Sequence, residues 1–221
     1  MNQRVLFKVV VAGLAAAGLA SCASFFDPKS QTSFFVTSAN PGKGGDLGGL
    51  AGADALCTSL ATAAGFGDKG WKAYLSTQAT GGAQAVNARD RIGNGPWVNS
   101  KGVVVAYNSA ELHGTNNLNL QTALTDKGTM VSVRPGPNHH DIMTGSAPDG
   151  TALPPGRDAT CNNCTSGGQG GAMVGHVDRT GINPNPIANI SWNSSHITPG
   201  CSMPDLARVG GAGLFYCFAT K

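Results

Sequence analysis

The stretch that most restricts what this chain can become runs from Gly48 to Thr77, GGLAGADALCTSLATAAGFGDKGWKAYLST. Leu50, Ala53, Leu56, Cys57, Leu60, Ala61 and Ala64 recur every three or four residues, which predicts a helix with one apolar face. Gly65 and Gly67 stop it, because glycine accepts the positive φ that closes a helix end. Trp71, Ala73 and Leu75 then alternate with Lys72, Tyr74 and Ser76, the period of a strand with one face inward. Cys57 falls on the apolar face of the helix. Its candidate partner is Cys217, embedded in the apolar strand GLFYCFA. A bond between them would close the domain from its first helix to its last strand.

Residues 1–21 read as an export signal. Arg4 and Lys8 supply the positive start, and Val9 to Leu19 form an apolar run too short to span a bilayer comfortably. The run ends in Leu19-Ala20-Ser21-Cys22, which resembles the bacterial lipobox. That resemblance implies diacylglycerol on the Cys22 thiol and acylation of the new N-terminus, a firm anchor where a single chain would be marginal. Ala23 after the cysteine implies an outer-membrane destination. Residues 22–32 are then a lipidated tether; fully extended, ASFFDPKSQT reaches at most about 35 Å.

Residues 33–221 read as one domain without internal repeats. The 32 glycines and few charged residues argue for a compact, turn-rich fold rather than a helical bundle or a charged disordered chain. The formal charge is +3, and loss of Arg4 and Lys8 with the leader leaves +1, with no basic stripe for a nucleic acid. Strands are predicted at Ser33–Thr37, Val103–Tyr107, Ala172–Val177, Ile190–Trp192 and Leu214–Ala219. Trp97 reads as a core anchor, and Asp90 between Arg89 and Arg91 as a structural ion pair. From 108 to 172 few strand or helix signals occur. Loops this long usually serve binding or are ordered by many side-chain hydrogen bonds.

Six cysteines are present: Cys22, Cys57, Cys161, Cys164, Cys201 and Cys217. With Cys22 lipidated, five remain in an oxidising compartment and one is left over; about fifteen two-bond arrangements are open to them. The layout narrows this. Gly52-Ala53-Asp54-x-x-Cys57 on a helix, Trp71-Lys72-Ala73-Tyr74-Leu75-Ser76 after it, then Cys161, Cys201 and a last-strand Cys217 together resemble the C-type-lectin-like fold, nearest its endostatin-like branch. The resemblance implies an α+β domain with a small twisted antiparallel sheet, one main helix and long loops. It also implies bonds Cys57–Cys217 and Cys161–Cys201. The endostatin-like pattern carries a tryptophan where Cys164 stands here, so Cys164 becomes the odd thiol or a competitor of Cys161 for Cys201.

Candidate chemistry is sparse. Gly-rich Ala39–Gly49 carries Lys43 but lacks the spacing of a phosphate loop. Cys161-Asn-Asn-Cys164 lacks the strand-to-helix setting of a redox pair, and a zinc site from Cys161, Cys164, Cys201 and a histidine lacks a second paired motif. His139, His140, Asp141, His176, Asp178 and His196 crowd the loop-rich half and could hold an ion such as zinc if the loops converge. Within that set the metal candidates are His139, Asp141, His176 and Asp178, because adjacent His139 and His140 point to opposite sides of an extended segment. Calcium-dependent sugar binding, known in lectin-like folds, lacks its acidic ligands at Ser191-Trp192-Asn193-Ser194 and Asn183-Pro184-Asn185-Pro186. No G-x-S-x-G occurs.

These features point to an outer-membrane lipoprotein with a noncatalytic recognition domain, binding a glycan or a protein without an obligatory cofactor. Trp192, Asn193, His139, His140 and Asp141 are the expected ligand contacts. The alternatives are a metal-dependent envelope enzyme using the histidine–aspartate group, and a purely structural surface protein.

Overall fold

The computed structural model describes residues 28–221. The export signal, Cys22 and most of the tether lie outside the described residues. The described part is mixed α+β. Strand β1 is Phe34–Val36, β2 Trp71–Ala73, β3 Trp97–Val98, β4 Val104–Ala106, β5 Asp141–Met143, β6 Met173–His176, β7 His196–Ile197 and β8 Gly211–Ala219. Helix α1 is Pro28–Gln31, α2 Gly49–Ala63, α3 Ser109–Leu112, α4 Pro186–Asn189 and α5 Met203–Val209. Helix α1 falls in the expected tether. Lys69 Nζ donates to the carbonyls of Ser30 and Thr32 and holds this end against the domain.

Strand β8 is the axis of the main sheet. Its apolar run leaves both faces and both edges to be covered. β1 pairs antiparallel along one edge, Phe35 opposite Cys217, and β2 along the other, Ala73 opposite Cys217. Below β2 on that same edge β5 pairs parallel to β8, and β6 and β7 extend the sheet antiparallel. The sheet is therefore mixed, not purely antiparallel. The parallel pair is possible because the chain makes a long crossover from Met143 at the end of β5 through β6, β7 and α5 to Gly211 at the start of β8, where a hairpin would give an antiparallel pair. β3 and β4 make a separate two-stranded ribbon.

Alternation along β8 divides the interior in two. Phe215 and Cys217 face α2 with Phe35, Trp71, Ala73 and Ala61. Tyr216 and Phe218 face the opposite core with Phe34, Tyr74, Trp97, Ile142 and Trp192. Tyr74 and Ser76 are therefore buried as well, against the expectation that only Trp71, Ala73 and Leu75 face inward. Ala53, Cys57 and Ala61 are the buried positions of α2, and Gly65 closes it with φ 88°. Small side chains on that face let the helix lie close to β8, and Cys57–Cys217 joins them covalently. Cys161 bonds Cys201, leaving Cys164 as a buried free thiol. The second pairing removes both the redox and the cysteine-zinc readings of Cys161-Asn-Asn-Cys164. These four residues form a left-handed turn, with φ between 50° and 64°.

Two local expectations are corrected. Asp90 takes a hydrogen bond from Asn87 rather than an arginine, while Arg91 reaches across to Asp54 and Arg89 to the Asp149 carbonyl. Ile190–Trp192 forms no strand. Asn185 caps Pro186 in α4, and the chain turns through these residues before pairing at His196–Ile197.

Candidate functional site

The site lies at the end of the sheet where β5 begins. Asp141 opens β5 and stands directly opposite His176 of β6. His196 of β7 pairs with Val174, two residues before His176, so the same sheet face carries all three side chains. His140 precedes β5 and is free of strand alternation; its ring stacks on that of His176, centroids 4.5 Å apart and planes within 6°. Gly210 makes the space, since a Cβ there would stand 3.0 Å from His140 Nε2, and its φ of 106° suits glycine at the end of α5.

Three imidazoles surround one carboxylate. His140 Nε2 lies 3.2 Å from Asp141 Oδ1, His176 Nε2 3.3 Å from the same oxygen, and His196 Nε2 3.4 Å from Oδ2. The Asp141 side chain is fully buried, and neither oxygen has a hydrogen-bond partner of acceptable geometry. The outer ring nitrogens are held. His176 Nδ1 donates to the Asn189 carbonyl at 3.0 Å, and His140 Nδ1 meets the Asp178 carboxylate at 3.1 Å. In the tautomer that carries its proton on Nδ1, each of these two rings presents an Nε2 lone pair toward Asp141; a second proton turns that nitrogen into a donor to the carboxylate. Burial pushes the Asp141 carboxyl up, but the surrounding imidazoles of His176, His196 and His140 outweigh it and leave it below the usual range. Burial lowers His176, and Asp141 with the Asn189 carbonyl reverses this to a net rise. Burial raises Asp178, and His140 and Thr180 bring it below its ordinary value.

The group forms the inner wall of a cleft of about 860 Å³. His140, His176, Asp178 and His196 line it at the sheet end. Val133, Arg134 and Asn138 form one side, Thr180 to Pro184 another, and the end of α5 from Ala207 to Gly210 the third. Ile182 is fully exposed at its rim.

Ser195 contacts His176, yet it completes no hydrolytic triad. Its Oγ is 3.2 Å from Nδ1 and 3.1 Å from Nε2, near-equal distances that place it over the ring face and out of line with either lone pair.

Of the expected metal group, the fold brings Asp141 and His176 together with His140, places Asp178 behind His140 and His196 beside the second Asp141 oxygen, and leaves His139 outside. The expectation treats His139 and His140 as pointing to opposite sides of an extended segment, so that they could not easily share one ion. The strand starts only at Asp141, so that alternation does not bind the residue before it. Trp192 and Asn193, expected as ligand contacts, are buried. Trp192 packs on Tyr74, and Asn193 donates to the Tyr74 hydroxyl and to the carbonyls of Ala147 and Pro148. Neither lines the cleft. No protein-family model matches the chain, and no curated protein matches it in sequence.

Proposed function

We propose that this chain is an outer-membrane lipoprotein, anchored through Cys22, whose C-type-lectin-like, endostatin-like domain recognises a glycan or protein ligand without chemically altering it. The observation that carries the proposal is the cleft. Its volume of about 860 Å³ falls in the range of pockets that enclose a compact ligand. Its walls combine an exposed isoleucine, Ile182, with Arg134, Arg208, Asn138 and Asn183, an apolar anchor ringed by donors and acceptors. The lectin-like reading is supported by two nested disulfides, by the helix bonded to the last strand, and by the irregular chain carried between them.

The full chain, solubilised in detergent, is the material for the test. Glycan-array binding or capture of a defined envelope protein is expected, and Ile182→Asp and Arg134→Glu should each abolish it. No ligand in either format, or binding indifferent to both substitutions, overturns the proposal. Mass spectrometry of membrane-extracted protein should find acyl chains on Cys22; an unmodified N-terminus there removes the anchor.

A second reading, a metal-dependent envelope enzyme, is favoured by the convergence of Asp141, His140, His176 and His196 on the inner wall of the cleft. Turnover of an envelope glycan by the metal-loaded chain would replace recognition with catalysis.

A further inference from the structure

We infer that His140, Asp141 and His176 form a binding site for one divalent transition-metal ion of the zinc class, opening onto the cleft, with His196 beside the second Asp141 oxygen. This site is independent of which ligand fills the cleft.

Three observations converge on it. The first is spacing. Ligand atoms about 2.0–2.1 Å from a tetrahedral ion lie about 3.3 Å from one another. Here the Nε2 atoms of His140 and His176 lie 3.2 and 3.3 Å from the same Asp141 oxygen, and one ligand atom from each of the three residues lies within 4.8 Å of the others. Charge-assisted hydrogen bonds between imidazolium and carboxylate close to about 2.7–2.9 Å. The second is the orphaned acceptor: both Asp141 oxygens are buried and lack a hydrogen-bond partner. A buried carboxylate is ordinarily paired or bound to a metal. The third is the outer ring. Metal-binding histidines donate their second N–H to a carboxylate or a backbone carbonyl, which fixes the tautomer and raises the basicity of the other nitrogen. Asp178 does this for His140 and the Asn189 carbonyl for His176. In that tautomer two Nε2 lone pairs and a carboxylate oxygen face one another, and a cation would satisfy all three.

Imidazole and carboxylate donors suit zinc, cobalt, nickel or copper rather than calcium. The parallel rings of His140 and His176 cannot both aim in plane at one ion, so metal uptake turns at least one about its Cβ–Cγ bond. His140 has the room, because it lines the cleft. The histidines line the cleft and Asp141 does not, so an exogenous ligand would approach the ion from the cleft side.

The test is titration of the EDTA-dialysed full chain in detergent with Co²⁺, followed by visible absorption, and then competition with Zn²⁺. One equivalent of Co²⁺ with the intense band of a four-coordinate ion is expected, displaced by one equivalent of Zn²⁺. His140→Gln and His176→Gln should remove the band. Asp178→Asn, at the residue that meets the outer nitrogen of His140 and the Thr180 N–H but not the ion, should weaken binding by about 10–100-fold. His139→Gln should leave it unchanged. If Asp141→Asn does not fold, His140→Gln and Asp178→Asn decide, checked for native circular dichroism. No uptake by the parent chain, or equal Co²⁺ affinity in both of those variants, overturns the site and leaves the cleft's ligand reading intact.

Discussion

Removal of the Cys57–Cys217 bond gives the most quantitative test of how this fold is held. The bond closes a loop of 160 residues. In the chain-entropy treatment a cross-link removes about 2.1 + 1.5R ln n cal/mol/K from the denatured state, or about 5 kcal/mol at 25 °C for a loop this long. The Cys161–Cys201 bond lies inside it and short-circuits 40 of those residues, leaving a path of about 120. The logarithm makes this shortcut worth only about 0.3 kcal/mol. The inner bond alone is worth about 4 kcal/mol, so the outer should exceed it by about 1 kcal/mol. Both sulfurs of the outer bond lie in the core between α2 and the sheet, so their loss also removes packed volume. Guanidinium unfolding of the parent, of Cys57→Ala/Cys217→Ala and of Cys161→Ala/Cys201→Ala, read by tryptophan fluorescence, measures all three. The outer double variant should lose about 4–5 kcal/mol, much of the stability of an ordinary domain. A loss below about 1 kcal/mol, or a smaller loss than in the inner variant, refutes the reasoning that loop closure holds this domain together.

Asp54 accepts from Arg91 at 2.8 and 2.9 Å, from Lys72 at 2.9 Å and from the Ala73 N–H at 2.9 Å. Asp54→Ala strands a largely buried guanidinium and should cost about 3–5 kcal/mol in the same assay, whereas Lys72→Ala, at the exposed arm, should cost under about 1 kcal/mol. Burial pushes the Cys164 thiol up to about 12, so native protein at pH 8 should resist iodoacetamide and take up one equivalent per chain once unfolded without reductant. His113 donates from Nδ1 to the Ser109 carbonyl and accepts from Tyr74 at Nε2, and burial lowers its pKa. The unfolded chain therefore binds the proton first: stability should fall as pH drops below about 6.5 until the folded value is reached, and His113→Gln should flatten that part of the profile in urea titrations from pH 7.5 to 5.

The elements legible in the sequence were those with a sustained apolar period or a continuous apolar run. Helix α2, its glycine stop and the strands at 34–36, 71–73, 104–106, 173–176 and 211–219 all carry such a signal. Strand β5 was not legible because Asp-Ile-Met is neither an apolar run nor a clear alternation, and two histidines precede it. Nothing local marks it; its existence depends on β8 and β6 offering hydrogen bonds on either side. The same cause hid half of the site. Asp141, His176 and Asp178 could be named from residue type, but which histidine joined them depended on where β5 begins. Trp192 and Asn193 illustrate the opposite failure: a tryptophan–asparagine pair in a loop reads as a ligand contact, and here the aromatic core and the Tyr74 hydroxyl claim it.

The two disulfides divide the work of the molecule between them. The outer bond joins the main helix to the axis strand and lies within the core that both build. The inner bond starts before β6 and ends after β7, so it brackets the two strands that carry His176 and His196. Strand β7 is only two residues long and pairs with β6 alone, an edge too short to hold a register by its own hydrogen bonds. Thr198 and Ala172 exchange contacts just beyond it, the Ala172 N–H donating to the Thr198 hydroxyl and the Thr198 N–H to the Ala172 carbonyl. Closing that hairpin from Cys161 to Cys201 keeps β7 in place and His196 within reach of the buried Asp141 carboxylate. Helix α5 follows immediately, leading through Gly210 into β8, and Gly210 leaves the space for the His140 ring. The left-handed turn at Cys161–Cys164 and the capped start of α5 at Ser202 therefore do more than end elements: they fix the two ends of the segment from which one side of the cleft is made.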